Sequence, residues 1–337
     1  MKHSILVLLL AAFSFSAFAQ DDILNLKVEL RADYQREYID GNTIKDNTGF
    51  KGKYLNIAMS GNINDHFSYS LRHRLNKTTF DSNFFDATDW AWVAYSLNNW
   101  EISAGKQVVA IGGYEYDRAP INLYFCSEFW NNVACYQFGV SGGYTFNSGK
   151  DKIIAQFCQS PFRNICGDMY AYNLIWYGNH GIFSGIYSVN MIEYTPGRFI
   201  NYISLGNKLS YENVSFEFDF MNRATSHQTF LFKDVTLVGE LAWKPIKQLN
   251  VFGKVSYDVN NTNNNDYYVL PGTEMTRVGG GVEYFPFVNN RHEIRLHADY
   301  CYTMGTNTNS ESVLHNNHSL FNVGLTWKFD VINLKRK

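Results

Sequence analysis

Leu26, Val28, Leu30, Ala32 and Tyr34 alternate without a break with Lys27, Glu29, Arg31, Asp33 and Gln35. A period of two is the mark of a β-strand, whose successive side chains point to opposite faces. Charges at Lys27, Glu29, Arg31 and Asp33 exclude a strand buried on both sides, because burying an unpaired charge is prohibitive. A half-solvated surface sheet would also fit this one segment, but the pattern recurs along the whole chain. Leu55, Ile57 and Met59 oppose Asn56, Ala58 and Ser60, and Phe216, Phe218 and Phe220 oppose Ser215, Glu217 and Asp219. Near the end Ile294, Leu296, Ala298 and Tyr300 oppose Glu293, Arg295, His297 and Asp299, and then Phe321, Val323, Leu325, Trp327 and Phe329 oppose Asn322, Gly324, Thr326 and Lys328.

About sixteen such segments fill the chain, at roughly 20 residues per strand plus connection, a normal spacing for a transmembrane barrel. They predict strands near 25–38, 51–63, 66–79, 88–98, 100–106, 135–147, 150–158, 170–178, 181–192, 200–210, 213–222, 233–243, 248–259, 273–286, 291–303 and 318–329. In the fourth, Trp90 and Trp92 fall on the opposite face from Val93, Tyr95 and Leu97, which calls for either a bulge or a different register there. The connections alternate in length. Short turns at 64–65, 98–99, 147–149, 179–180, 212–213, 245–247 and 288–290 separate long loops at 39–50, 80–87, 107–134, 159–169, 193–199, 223–232, 260–272 and 304–317. Strict alternation puts both termini at one rim of an all-β, antiparallel barrel, with short periplasmic turns and long extracellular loops.

The physical reason is the solvent. A strand in hydrocarbon must pair every backbone group with a neighbour, which forces the sheet to close. A one-residue slip of the first strand would turn Lys27, Glu29, Arg31 and Asp33 to lipid, at up to about 2–4 kcal/mol for a basic residue at the midplane. Apolar-face aromatics gather at the short-turn ends (Phe67, Trp100, Phe146, Trp176, Trp243, Tyr284, Phe329), as an interfacial girdle requires.

Composition and the N-terminus agree. Met1, Lys2 and His3 precede an apolar run from Ile5 to Phe18, and Ala17-Phe18-Ala19 supplies a small-x-small cleavage pattern before Gln20. Residues 1–19 therefore read as a secretory signal peptide and 20–337 as the exported barrel. No later segment is apolar for the length of a membrane helix, and a net charge of −2 gives no basic excess for nucleic acid. Aromatics make up 17% of the residues, including 23 Tyr and 26 Phe, which suits many short lipid-facing strands. Of the five cysteines, Cys126 with Cys135 and Cys158 with Cys166 have the spacings to test for disulfides, Cys301 being left over, although unpaired thiols fit equally well.

The third long connection, 107–134, is rich in aromatic and charged groups rather than in flexible filler. Folded into the barrel it would narrow the pore and place Glu115, Asp117, Arg118 and Glu128 at a constriction; folded outward it would only cover the mouth. Lys27, Arg31, Arg72 and Arg74 face the lumen on the first and third strands and could form a basic stretch of wall. Glu29, Asp33, Glu101, Glu217, Asp219, Glu240, Asp258, Glu283, Glu293 and Asp299 face it too, so weak charge selectivity is expected.

Gly105-Lys106-Gln107, Gly112-Gly113-Tyr114-Glu115-Tyr116-Asp117, Pro120, Tyr124 and the returning Tyr136-Gln137-Phe138-Gly139-Val140-Ser141 resemble the porin O/P-like outer-membrane porins of the Bacteroidetes type. The resemblance covers about residues 100–146 and implies a sixteen-stranded porin, often trimeric, for small hydrophilic solutes, with phosphate preference in some members. This loop is acidic on balance and no lysine- or arginine-rich run marks an anion ladder, which weighs against phosphate specificity. The expectation is passive diffusion of small hydrophilic solutes or ions across the outer membrane, with outer-membrane lipid as surroundings, no cofactor, no metal and no catalysis. Two other classes compete with this reading. Arg295, His297 and Asp299 on one face, with His227, His315 and His318 in external loops, allow a His–Asp pair of a barrel hydrolase to be drawn, but no catalytic motif accompanies them. An adhesion barrel would work through its loops, and the Asn-rich 260–265 and 305–317 segments suit exposed tips.

Overall fold

In the computed structural model the alternation beginning at Leu26 is carried by β1 (Asp22–Ile39), and fifteen more long strands follow. They are β2 (Gly49–Asn62), β3 (Phe67–Arg74), β4 (Thr88–Leu97), β5 (Trp100–Val108), β6 (Tyr136–Thr145), β7 (Asp151–Gln159) and β8 (Tyr170–His180). Then come β9 (Phe183–Thr195), β10 (Arg198–Tyr211), β11 (Val214–Thr225), β12 (Asp234–Ile246), β13 (Leu249–Asn260), β14 (Thr273–Tyr284), β15 (Ile294–Asn307) and β16 (His318–Lys335). The structure describes residues 22–77, 83–162, 167–225, 232–262, 268–289, 293–307 and 317–336. The predicted signal peptide, Cys166, His227 and His315 lie outside the described residues.

Every strand pairs antiparallel with its sequence neighbour, and β1 pairs with β16 from Ile39↔His318 through Arg31↔Thr326 to Asn25↔Asn333. The sheet is thereby closed, and lipid can reach no unpaired strand edge. Burial follows the two-residue period in the sense opposite to that of a water-soluble protein. On β15 Leu296 and Tyr300 are exposed while His297 and Asp299 are buried, and on β11 Phe216 and Phe218 are exposed while Glu217 and Asp219 are buried. The apolar face is thus the outer one. Among the described residues no helix is long and apolar enough to cross a membrane.

Along the short-turn rim the outward aromatics pack against one another. Trp100 meets Tyr144 at 4.8 Å between ring centroids, Phe67 meets Tyr95 at 5.0 Å, Trp176 meets Tyr187 at 5.0 Å and Trp327 meets Phe329 at 4.9 Å. Their amphipathic or flat rings suit the headgroup boundary.

The bulge in β4 is present: Arg72 pairs with Trp90 but His73 pairs with Thr88, leaving Asp89 as the extra residue. Trp90 accordingly stays on the luminal side, with the Arg72 guanidinium 3.9 Å over its ring. Three details differ from the sequence reading. The last strand runs past Phe329 to Lys335, because β1 begins at Asp22 and offers backbone partners to Ile332, Asn333 and Leu334. The predicted loop 193–199 is a two-residue turn at Pro196-Gly197, in which Gly197 takes φ +72 and Thr195 pairs with Arg198. The last short turn is the longer link between Tyr284 and Ile294. Cys126 and Cys135 are free thiols, as are Cys158 and Cys301. Cys126 belongs to the far tip of the third loop, where its carbonyl meets Arg277 of β14. Cys135 belongs to the loop's base, where its carbonyl accepts from the Val109 amide at 2.8 Å.

Candidate pore constriction

The long connection between β5 and β6 folds into the barrel. It starts where the Val109 amide bonds back to Cys135, and it then crosses the lumen against the inner wall of β7 to β14. Close approach of the two backbones is made possible by glycine. A Cβ on Gly112 would lie 2.8 Å from the Ile186 carbonyl oxygen, and one on Gly206 would lie 2.7 Å from the Gly113 Cα. Gly113 itself adopts φ +109, a region other residues rarely enter. The Gly112 amide donates to Ser188 Oγ at 2.8 Å, and Ser204 Oγ donates to the Gly112 carbonyl at 2.8 Å.

Two short helices follow, α1 (Tyr114–Asp117) and α2 (Glu128–Asn132), and each begins on a carboxylate of the wall. Asp219 of β11 accepts from the Tyr114 and Glu115 amides at 2.8 and 2.7 Å. Asp258 of β13 accepts from the Glu128 amide at 2.8 Å, while Ser127 caps α2 by accepting from the Trp130 amide. Free amides at a helix start need acceptors, and here the barrel supplies them. On the side facing β7 to β13 the loop also buries Val109, Ile111, Tyr116, Phe129 and Val133 against Met169, Ile192, Ile200, Tyr202 and Met221 of the wall. The loop is therefore packed, not draped.

All four predicted loop residues lie inside the barrel, and each is anchored. Glu115 is buried and meets Lys254 Nζ at 2.7 Å and the Ser127 amide at 3.0 Å. Burial acts to raise its pKa, but Lys254 and Ser127 outweigh that and hold the carboxyl below its ordinary value. Among the described residues Asp117 makes no ion pair but accepts a 3.2 Å bond from the Tyr177 hydroxyl, and burial pushes its pKa up to about 7. Arg118 forks onto Glu240 at 2.8 and 3.0 Å and onto Glu217, which also takes Lys208 at 2.8 Å. Glu128 takes Arg277 at 2.8 Å.

Between the helices the chain is held from both sides of the lumen. Arg31 of β1 donates to the Leu123 carbonyl, Arg295 of β15 to the Ile121 carbonyl at 3.1 Å, and Lys254 of β13 to the Phe125 carbonyl at 2.9 Å. Tyr124 donates to Glu283 at 2.6 Å and packs its ring on His297 with centroids 4.6 Å apart. The His–Asp pair drawn from the sequence exists in altered form: His297 meets Asp33 of β1 at 3.1 Å, whereas Asp299 accepts from Asn322. It braces the wall behind Tyr124. His318 meets Glu37 at 2.6 Å.

The basic residues of β1 and β3 are each paired with a carboxylate. Arg31 lies bidentate on Asp33, with its closest contact at 2.7 Å. Arg72 and Arg74 share Asp89 at 2.8 and 2.7 Å, and Lys27 sits at the short-turn rim 3.6 Å from Asp330. Asp89 was missed in the sequence because it is the bulged residue, out of step with the luminal period. Lys254, Lys208 and Arg277 were also missed, although each lies on the polar face of its strand, which is the available signal.

Residues 24–176 match the sequence pattern of the family described as phosphate-selective porin O and P. No curated protein sequence matches the chain. Among solved structures it is similar to the outer-membrane expressed OmpT of Vibrio cholerae, with a TM-score of 0.63, 12% identity, and 91% of this chain and 97% of that chain covered. It is also similar to the anion-selective porin from Comamonas acidovorans (TM-score 0.62, 9% identity, 91% and 99% covered). The outer membrane channel DcaP of Acinetobacter baumannii gives 0.62, 12%, 91% and 96%. At such identities the likeness is one of fold. The chain is thus a sixteen-stranded antiparallel barrel with a porin-like fold, similar over residues 24–176 to the family described as phosphate-selective porin O and P.

Proposed function

We propose that this barrel passes small hydrophilic solutes and ions across the outer membrane by diffusion, as a channel rather than an enzyme, after export directed by residues 1–19. The observation that carries the reading is the inward third loop, tied to the far wall by Arg118 on Glu217 and Glu240 and by Glu115 on Lys254. A loop fixed at both ends and in its middle narrows a lumen that sixteen strands would otherwise leave wide. Its anchors fall on β1 and on β7 to β16, which supports a solute path along the wall of β2 to β4. Lys53, Tyr54 and Arg74 are half-buried there. Glu115, Asp117, Arg118 and Glu128 act in this reading as the frame of the constriction. Arg31, Arg72 and Arg74, with Lys27 at the rim, give at most a weak anion or phosphate preference, because each rests on a carboxylate. A trimeric form of the Vibrio cholerae OmpT is among the similar structures (TM-score 0.63, 13% identity, 91% and 99% covered), and we propose a homotrimer here.

The experiment is single-channel conductance and reversal potential of refolded protein in a planar bilayer, under a salt gradient with and without phosphate. Stable steps with a small reversal potential are expected. Silence from folded, heat-modifiable protein would refute the channel, and block by low phosphate would replace weak preference with a dedicated anion site.

A further inference from the structure

Beneath the inward loop, on the short-turn side, lies a partly open cavity of about 190 Å³, bordered by the loop anchors Arg118, Glu217, Glu240 and Lys254. We propose that it is a binding site for a small carboxylate carrying a flat apolar ring. Its size suits an organic molecule rather than a single ion, since one water claims only about 30 Å³ of liquid volume.

One side of the cavity is aromatic. Tyr124 and Phe252 lie face to face, with centroids 5.5 Å apart and planes within 15°, and Phe125 and Phe285 continue the surface. A flat ring finds offset-stacking and edge contacts on such walls. A fully hydrated anion such as phosphate finds none.

The other side brings two cations onto a neutral atom, on a lining that also carries Asp117, Glu217, Glu240 and Glu283. Arg295 Nη1 and Lys328 Nζ, from adjoining strands, both donate to Asn122 Oδ1, at 3.2 and 3.3 Å. The acids nearby are only partly available to them. Glu283 meets Arg295 at 3.2 Å but also accepts from Tyr124 at 2.6 Å and Asn250 at 2.7 Å, and Glu29 lies 3.8 Å from Lys328. Two cations converging on an uncharged amide oxygen leave room for a carboxylate to take its place, with charge-assisted bonds stronger than those to an amide. Ring wall and cation pair therefore select an amphipathic monoanion. The site deepens the porin reading and rests on it only for the route by which such a solute arrives.

The test is isothermal titration of the detergent-refolded protein with benzoate, acetate and inorganic phosphate, in parallel with benzoate added to either side of an oriented channel. Benzoate is expected to bind about tenfold more tightly than acetate or phosphate, and Phe252→Leu and Lys328→Gln each to weaken it about tenfold. Channel block is expected at lower benzoate concentration from the short-turn side. Heat-modifiability shows that each variant folds, and Phe252→Leu keeps most of the buried volume. Equal affinity for the three anions, or variants that bind benzoate unchanged, would overturn the site. Protein that binds benzoate but never conducts would defeat the channel and leave the site standing, whereas conducting protein that ignores benzoate would do the reverse.

Discussion

Glu115 in the third loop and Lys254 on β13 meet at 2.7 Å with both side chains almost wholly buried. Neither charge has an alternative in water, so each requires the other. Glu115→Gln leaves the ammonium uncompensated and is expected to cost about 3–5 kcal/mol, read as a lower unfolding temperature of the loop or barrel and noisier, larger conductance. The double variant Glu115→Gln/Lys254→Met is expected to regain most of that loss. If it is as unstable as the single variant, the pair is not the anchor.

Arg118 is held by Glu217 and Glu240. Arg118→Ala removes one positive charge from Glu240 and from Glu217, of which Glu217 keeps Lys208, with about 2–5 kcal/mol of loop anchoring lost. The expected outcome is a reversal potential shifted toward cations and a larger single-channel step. An unchanged reversal potential would place Arg118 away from the ion path.

Asp89 neutralises both Arg72 and Arg74. Asp89→Asn is expected to shift the reversal potential toward anions, whereas Arg74→Ala should leave it nearly where it was or move it the other way. Salt above about 1 M, where the Debye length is near 3 Å, should erase the difference.

Asp117 gives the loop a pH dependence. Burial raises its pKa to about 7, so the folded loop holds a proton that the unfolded chain has already released above the ordinary carboxylate range. Stability is therefore highest at acidic pH, falls as pH rises from about 4 to 7, and is flat beyond, with an upper bound on the order of 4 kcal/mol at 1.36 kcal/mol per unit. Unfolding temperature measured at pH 5 and pH 8 checks this. Asp117→Asn should make the profile shallower through this window, and a variant with the wild-type slope would contradict the assignment.

Gly206→Ala would place a Cβ 2.7 Å from the Gly113 Cα and 2.9 Å from Asp219 Oδ1, where the loop crosses β10. Overpacking of that kind costs about 1–3 kcal/mol, and the loop, not the barrel, is the part that can yield. Heat-modifiable protein with faster proteolysis between 109 and 135 is the expected result.

The strands were legible because their cause is local. A residue on β11 or β15 faces lipid or lumen according to its parity, and the hydrophobic pattern records that parity at every second position. β16 was read too short because Asp330 to Lys335 belong to a ladder set by where β1 begins, and Asp89 was missed because a bulge breaks parity. The basic residues Arg31, Arg72 and Arg74 could be placed on the luminal face, but their neutralisation could not.

The sequence by itself determined the barrel, its direction of folding and the long third loop, since strand period and turn spacing are properties of neighbouring residues. Only the tertiary structure decided that the loop turns inward and what each charge does there. Arg118 and Glu240 are 122 residues apart, and Glu128 reaches Asp258 across 130. Such pairings are fixed by closure of the sheet, which brings distant luminal faces within hydrogen-bond reach and leaves buried charges with only those partners.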